Sequence, residues 1–162
     1  MVAPIVTDHR PIQVRRAQPR DATAIEALYR LLVPGDDNIS VSPDRIAALE
    51  ENPSNHLLVV ELEATVCGSA FLTICLDAMY GFQPYGVVEN VIVLPTARGS
   101  GLGAALMDGV ERAARDARCT KLMLLSGAAR ESAHSFFRHC GFTSDTKNAF
   151  VKYRRQFTPP GS

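Results

Sequence analysis

The spacing of hydrophobic residues changes several times along the chain, and each change predicts a secondary-structure element. An alternation of apolar and polar residues over 12–17 predicts a first strand. An apolar stripe of helical period then follows Asp21, a residue suited to cap a helix, and continues to about residue 32. Ser42-Pro43 is typical of a helix start, and it predicts a second, short helix that reaches about residue 49.

Longer apolar runs in the middle of the chain predict the central strands of a sheet. The runs 57–62 and 66–76 are joined by a few polar residues, as in an antiparallel hairpin. The β-branched run 87–93 predicts a third strand, which Pro95 ends because proline brings no N–H to a sheet. The remaining predicted elements are a helix, a strand, a helix and a last strand, over about 101–118, 121–125, 132–139 and 150–157.

The order of these elements, β-α-α-β-β-β-α-β-α-β, predicts the α/β (α+β) class. The hairpins make most of the central sheet antiparallel, whereas the later strand–helix–strand unit requires a parallel crossover. We therefore expect a mixed sheet with helices on both faces. At 162 residues the chain is long enough for one core, so we expect a single domain over 12–157 with short tails at 1–11 and 158–162.

Composition and charge restrict the function classes further. Lysine plus arginine and aspartate plus glutamate number 17 each, so no net field would attract nucleic acid or an anionic membrane. No stretch approaches the ~20 apolar residues of a membrane span, and the N-terminus does not resemble a signal peptide. The four cysteines are scattered without a CxxC pair, which argues against a zinc site. These features predict a cytoplasmic enzyme or ligand-binding domain.

A glycine-rich turn between the third predicted strand and the next helix is the strongest candidate for a ligand site. Glycines at 99, 101 and 103 would let the backbone approach a ligand closely, and the first amides of the helix would face an anion. Arg98 adds a charge suited to phosphate. The alternative role for Arg98 is that of a surface salt-bridge partner. The pattern predicts a phosphate-bearing ligand.

Two phosphate-binding patterns fit these glycines. Residues 99–104 formally match GxGxxA, the dinucleotide fingerprint, but residues 94–98 intervene after the strand. No acidic residue ends the next strand, where a ribose would be held. The other pattern is Arg-x-x-Gly-x-Gly, formed by Arg98, Gly101 and Gly103. The context favours this second pattern.

The chain resembles the GNAT superfamily of acetyl-CoA-dependent N-acetyltransferases, and several motifs carry the resemblance in the expected order. They are Glu-Asn-Val-Ile-Val from residue 89, Arg-Gly-Ser-Gly-Leu-Gly from 98, Cys-Thr-Lys-Leu-Met-Leu-Leu from 119 and Ala-His-Ser-Phe-Phe-Arg-His-Cys-Gly-Phe from 133. The resemblance covers nearly the whole chain, from about residue 12 to 157.

The resemblance implies that acetyl-CoA is the cosubstrate. Its pantetheine arm would enter a V-shaped opening between two parallel strands and pair with the backbone of Val91, Ile92 and Val93. The pyrophosphate would rest on the amides of Arg98, Gly99, Ser100, Gly101, Leu102, Gly103 and Ala104. Residues of the later helix would flank the thioester end, namely Arg130, Ser132, Phe136 and Phe137.

Amine acetylation needs a neutral amine, an oxyanion donor and a proton for the departing thiolate. Glu89 is the candidate base, because an apolar strand that buried it on the side of Val87 and Val91 would raise its pKa. The alternative is a structural carboxylate. Phe137 stands where many relatives have a tyrosine that protonates the thiolate. A water, Ser135 or the candidate catalytic His134 could replace it, or the thiolate could leave unprotonated.

The acceptor is predicted only as a class. Two carboxylates, Asp36 and Asp37, and two aromatic residues, Tyr80 and Tyr85, would wall the acceptor side and favour a cationic amine. The aromatic loop is also compatible with ordinary loop composition or with a homodimer contact. The leading hypothesis is transfer of acetyl to a primary amine, on a small molecule. Protein N-termini or lysines, an acyl-CoA sensing module and an NAD-dependent oxidoreductase are the alternatives.

Overall fold

The fold was obtained as a computed structural model, which describes residues 12–158. The predicted tail at 1–11 and all but the first residue of the tail at 158–162 lie outside this range. The strands are β1 Ile12–Arg16, β2 Asn55–Leu62, β3 Thr65–Cys75, β4 Tyr85–Val93 and β5 Leu122–Leu124. The α-helices are α1 Ala22–Leu32, α2 Pro43–Glu51, α3 Leu102–Asp116 and α4 Glu131–His139. Short 3₁₀ turns lie at Pro19–Asp21, Pro95–Ala97 and Arg154–Gln156.

The five strands form one mixed sheet in the order β1-β2-β3-β4-β5. Strands β1 to β4 pair antiparallel with their neighbours, and β5 pairs parallel with β4 across the α3 crossover. The predicted fold class is therefore confirmed. The limits of these strands and helices differ from the predicted ones by only a few residues. Such differences are expected because the ends of an element are its least well-defined part.

Helices cover both faces of this sheet. On one face Ile25 of α1 and Ile46 of α2 join a buried cluster with Val59 of β2. On the other face α3 packs across the strands, and its Gly109 comes so close to β1 that an added Cβ would lie 2.7 Å from Val14. Since each strand alternates its side chains between the faces, both faces acquire an apolar core.

The chain divides into two compact units at Leu124. The first unit contains the whole sheet with α1, α2 and α3. The second unit begins at Leu125 and contains α4, whose Phe137 is buried against Phe136 and Phe142 at ring-centroid distances of 5.4 and 6.2 Å.

The predicted last strand over 150–157 is wrong. This segment is exposed and irregular, and it closes a 3₁₀ turn in which the Gln156 side chain accepts a hydrogen bond from the Tyr153 amide at 2.9 Å. The Gln156 amide in turn donates to the Tyr153 carbonyl at 2.8 Å. Because local partners satisfy these backbone groups, the apolar–charged alternation alone does not produce a strand.

Candidate active site

Strand β4 is interrupted by a bulge at the point where it separates from β5. The two strands pair only over Gly86–Val88 and Leu122–Leu124. Directly after Glu89 the register with β3 shifts, since Phe71 pairs with Glu89 whereas Ser69 pairs with Ile92. Beyond Val88, the β5-facing edge of β4 therefore has no strand partner among residues 12–158. This opening agrees with the predicted V-shaped separation and leaves the backbone around 91–93 available for pairing.

The bulge is accompanied by an unusual backbone conformation. Asn90 has a φ of 53°, in the left-handed region that few residues other than glycine adopt, and asparagine is among those that tolerate it best. Three residues of β4 thus occupy the length of two on β3, which bends and twists the strand. The bend explains why β4 follows β3 on one side yet leaves β5 on the other.

The glycine-rich turn lies between β4 and α3 and has the backbone that its sequence predicts. Gly99 and Gly101 have φ values of 79° and 84°, and nothing lies within 4 Å of the position where either would carry a Cβ. Gly101 is the N-cap of α3, and the amides of Leu102, Gly103 and Ala104 have no partner within the helix because they belong to its first turn. The turn therefore offers unpaired donors at the positive end of a helix dipole.

Arg98 adds a cation beside these amides. Its side chain is exposed, and it forms no ion pair within the part of the chain that the structure describes. The alternative of a salt-bridge partner thus finds no support. Ser100 stabilises the turn by donating a hydrogen bond to the carbonyl of Ala97. The arrangement of one guanidinium, several amides and open space above two glycines fits a pyrophosphate.

Glu89 lies at the first position of the opening, but its surroundings differ from the predicted ones. It shares a face with Val87, because their partners on β3 are Phe71 and Thr73. Beyond the bulge, the next β3 residue on this face is Ser69, and it pairs with Ile92. The prediction that Val91 lies on the same side as Glu89 is therefore wrong. The Glu89 side chain is also exposed, and the predicted desolvation is not found. The bulge accounts for the position of Val91, because it breaks the alternation after Glu89.

The predicted acceptor residues lie in two loops. Asp36 accepts hydrogen bonds from the amide and the side chain of Asn38, both at 2.9 Å, and these bonds hold the pKa of its carboxyl below the usual value. Asp37 is exposed beside it. Tyr80 is exposed, whereas Tyr85 begins β4 and is half-buried. These placements leave their acceptor role a prediction.

The remaining predicted site residues belong to the second unit. His134 donates through Nε2 to the Gly127 carbonyl at 2.9 Å, with the tautomer assigned from this contact, which agrees with a helix-packing role. Arg130 is the N-cap residue of α4 and Ser132 is exposed in its first turn. Phe136 is half-buried and Phe137 buried. Their part in cosubstrate binding stays a prediction.

A polar group behind the bulge was not singled out from the sequence. The hydroxyl of Tyr29, on α1, interacts with the side chains of Ser69 on β3 and Asn90 on β4. Ser69 is fully buried, and its Oγ makes no hydrogen bond of normal geometry. The one signal in the sequence was the Glu89-Asn90 pair inside a β-branched run, because asparagine is rare in strand interiors.

The chain matches the family model described as "Acetyltransferase (GNAT) family" over residues 23–142, well over half of its length. The chain belongs to this family. Membership establishes an acetyl-CoA-dependent N-acetyltransferase. That acetyl-CoA lies in the opening after Val88 and on the turn at 98–104 stays a prediction. The dinucleotide alternative is excluded by this membership, as the residues between strand and glycines predict.

Similar GNAT proteins agree with this assignment. An aminoglycoside N(6')-acetyltransferase type 1 of Stenotrophomonas maltophilia is 32% identical over 142 residues, which are 86% of this chain and 91% of that protein. A protein described as an acetyltransferase from Agrobacterium tumefaciens str. C58 superposes with a TM-score of 0.78 at 27% identity, over 87% of this chain and 99% of that one.

A second solved structure contains CoA, the product of the cosubstrate. The aminoglycoside N-acetyltransferase AAC(6')-Iy in complex with CoA superposes with a TM-score of 0.75, over 93% of this chain and 99% of that one, at 18% identity. At this identity the likeness supports the fold only. None of the helices described within residues 12–158 is long and apolar enough to cross a bilayer.

Proposed function

We propose that this GNAT protein acetylates a primary amine of a small molecule by direct attack within a ternary complex. The observation that carries the proposal is the opening of the sheet directly after Val88, with the exposed carboxylate of Glu89 at its start. A cosubstrate seated along β4 would bring its thioester near this carboxylate. The 32% identity to an aminoglycoside N(6')-acetyltransferase supports a small polyamine as acceptor.

Glu89 is proposed as the general base, acting on the amine directly or through water. Acceptor amines are protonated at neutral pH, so one proton must leave before the nitrogen attacks the acetyl carbonyl. A solvent-accessible carboxylate can accept that proton and pass it to bulk water. The two carboxylates Asp36 and Asp37 are proposed to attract the cationic acceptor, with Tyr80 and Tyr85 shaping its pocket.

The proton for the departing thiolate has no assigned donor. Phe137 cannot supply it, because its ring carries no hydroxyl. A thiol has a pKa near 8.5, so a thiolate can leave and take its proton from water near neutral pH. The proposed reaction therefore runs without a side-chain acid. The proposal also treats residues 12–157 as one catalytic domain, since the family match extends past Leu124.

An acyl-CoA sensing module is the second candidate, and the missing hydroxyl at Phe137 is the observation that favours it. Such a protein would bind acetyl-CoA without turning it over. A protein acetyltransferase is the alternative within the enzymatic class, and no observation on the described residues favours it over a small amine.

Ligand-induced thermal shifts and thiol release separate these functions. We expect acetyl-CoA and CoA to raise the melting temperature and NAD to leave it unchanged. Thiol release should then be measured with two aminoglycosides that differ only in a 6'-amine or a 6'-hydroxyl. Turnover of the 6'-amine compound without turnover of the 6'-hydroxyl compound supports the proposal. Binding without turnover on any amine or on protein substrates would favour the sensor.

The role of Glu89 is tested with Glu89→Gln, which keeps the size of the side chain and removes its charge. We expect kcat/KM to fall about 100-fold, as for loss of a general base, with CoA affinity within twofold of the wild type. The control is Glu51→Gln, on the exposed side of α2. An unchanged rate between pH 6 and 9 would remove Glu89 as the base.

A further inference from the structure

The bulge of β4 rests on a polar group that the catalytic proposal does not use. Ser69 is 0% exposed, and its Oγ makes no hydrogen bond of normal geometry. Buried hydroxyls without a partner are rare in folded proteins, and each one calls for a physical reason. The hydroxyl of Tyr29 interacts with the Ser69 side chain and with that of Asn90, so the reason is to be sought around the Tyr29 hydroxyl.

The Tyr29 hydroxyl is protonated under working conditions and can donate. Burial beneath α1 raises its pKa, and the interactions with Ser69 and Asn90 offset only part of that effect. Tyr29 also packs against the apolar cluster around Ile25. The ring is thus fixed by the core while its hydroxyl points at the two polar side chains.

Asn90 supplies the link to the opening. It is the left-handed residue of the bulge, with a φ of 53°, and its side chain interacts with the Tyr29 hydroxyl. A non-glycine residue holds such a conformation only where its surroundings favour it. The residues that follow, 91–93, are those whose β5-facing backbone groups have no strand partner in the described chain.

We propose that Tyr29, Ser69 and Asn90 act as a positioning cluster that holds the β4 bulge in the conformation that receives the pantetheine arm. The hydroxyl of Tyr29 anchors the Asn90 amide, and Ser69 limits where that hydroxyl lies. None of the three touches the reacting atoms in this role. They determine cosubstrate affinity by keeping the 91–93 backbone preorganised, a role that rests on the acetyl-CoA assignment above.

The first test compares Tyr29→Phe, which removes only the hydroxyl, with Tyr153→Phe, the same change at an exposed position of the second unit. We expect the Kd for CoA, measured by isothermal titration calorimetry, to rise at least fivefold in Tyr29→Phe and to stay within twofold in Tyr153→Phe. The KM for acetyl-CoA should rise with it, while kcat at saturation stays within twofold. An unchanged Kd in Tyr29→Phe would overturn the proposal, even if its melting temperature falls.

Backbone amide hydrogen exchange provides a readout that needs no ligand. In the free protein, amides of 89–93 should exchange faster in Tyr29→Phe than in the wild type, with the amides of β2 unchanged. Equal rates at 89–93 would overturn the proposal. If the wild type bound no CoA at all, the cosubstrate assignment would fail, and the exchange measurement would still decide whether the cluster holds the bulge.

A double-mutant cycle tests whether the hydroxyl acts through Asn90. Asn90→Gly keeps the left-handed backbone accessible while deleting the side chain. It therefore separates the effect of the Asn90 side-chain amide from the effect of the backbone conformation. We expect the double variant of Tyr29→Phe and Asn90→Gly to bind CoA no more weakly than the weaker single variant. Additive losses would show that the two residues act independently and would contradict the cluster.

Discussion

The left-handed conformation of Gly101 should control both the stability of the N-terminus of α3 and the affinity for CoA. Its φ is 84°, and an added Cβ would meet nothing within 4 Å, so a substitution there is limited by backbone conformation and not by space. A left-handed alanine costs about 1–2 kcal/mol, part of which is offset by lower entropy of the unfolded chain. We expect Gly101→Ala to lose about 1 kcal/mol, a melting-temperature decrease of roughly 2–4 °C.

The effect on CoA binding should be larger than the effect on stability. If Gly101→Ala relaxes toward negative φ, at least one amide of the turn no longer faces the pyrophosphate. A hydrogen bond to a charged group contributes about 1.5–3 kcal/mol, which corresponds to a roughly 10- to 150-fold increase in Kd. The assay is calorimetric titration with CoA, combined with thermal unfolding of the free protein.

Two further variants separate the effect of the Gly101 backbone conformation on CoA binding from a general loss of stability. Gly35→Ala introduces the same change at a φ of 82°, again with nothing within 4 Å, in the loop after α1. It should lower the melting temperature similarly and leave the Kd for CoA unchanged. Gly101→Asn should retain more affinity than Gly101→Ala although its side chain is larger, because asparagine tolerates positive φ. The reasoning is refuted if asparagine binds CoA more weakly than alanine, or if Gly35→Ala weakens binding equally.

Two further predictions concern stability, each measured by chemical denaturation. Asp21 is 5% exposed, and hydrogen bonds from Arg15 hold the pKa of its carboxyl below the usual 3.8. The carboxylate therefore contributes to folding stability above pH 3.8, and this contribution is lost as the pH falls through the lower pKa of the folded state. Asp21→Asn should cost about 2–3 kcal/mol at pH 7 and flatten this acid dependence; an unchanged acid profile would contradict the assignment. Gly68→Ala would bring a Cβ to 2.7 Å from the backbone oxygen of Ile92 and should cost about 3 kcal/mol. Gly86→Ala closely approaches only the side-chain ends of Leu122 and Leu72, at 2.6 and 2.9 Å, and should cost about 1 kcal/mol. A larger loss of stability in Gly86→Ala than in Gly68→Ala would show that the backbone of these strands shifts more easily than the packed side chains do.

Much of the fold could be predicted from the sequence because the signals are local. Hydrophobic period selected helix or strand in most segments, and Pro95 with the glycines after it located the turn before α3. The same residues predicted the cosubstrate site, since a helix N-terminus and left-handed glycines need few distant partners. The last strand failed for the complementary reason. Its alternating pattern was adequate, but a strand exists only where another strand pairs with it.

What the sequence by itself determined was the family, the order of strands and α-helices through α4, and the left-handed glycine turn before α3. What only the tertiary structure decided was the surroundings of the side chains. The bulge at Asn90 moved Val91 off the face of Glu89, and packing of α1 on the sheet brought Tyr29 to Ser69, forty residues away in sequence. Local spacing specifies which face a residue takes while the strand stays regular. A register shift and a contact between elements depend on the whole packed fold, and here they fall at the candidate site.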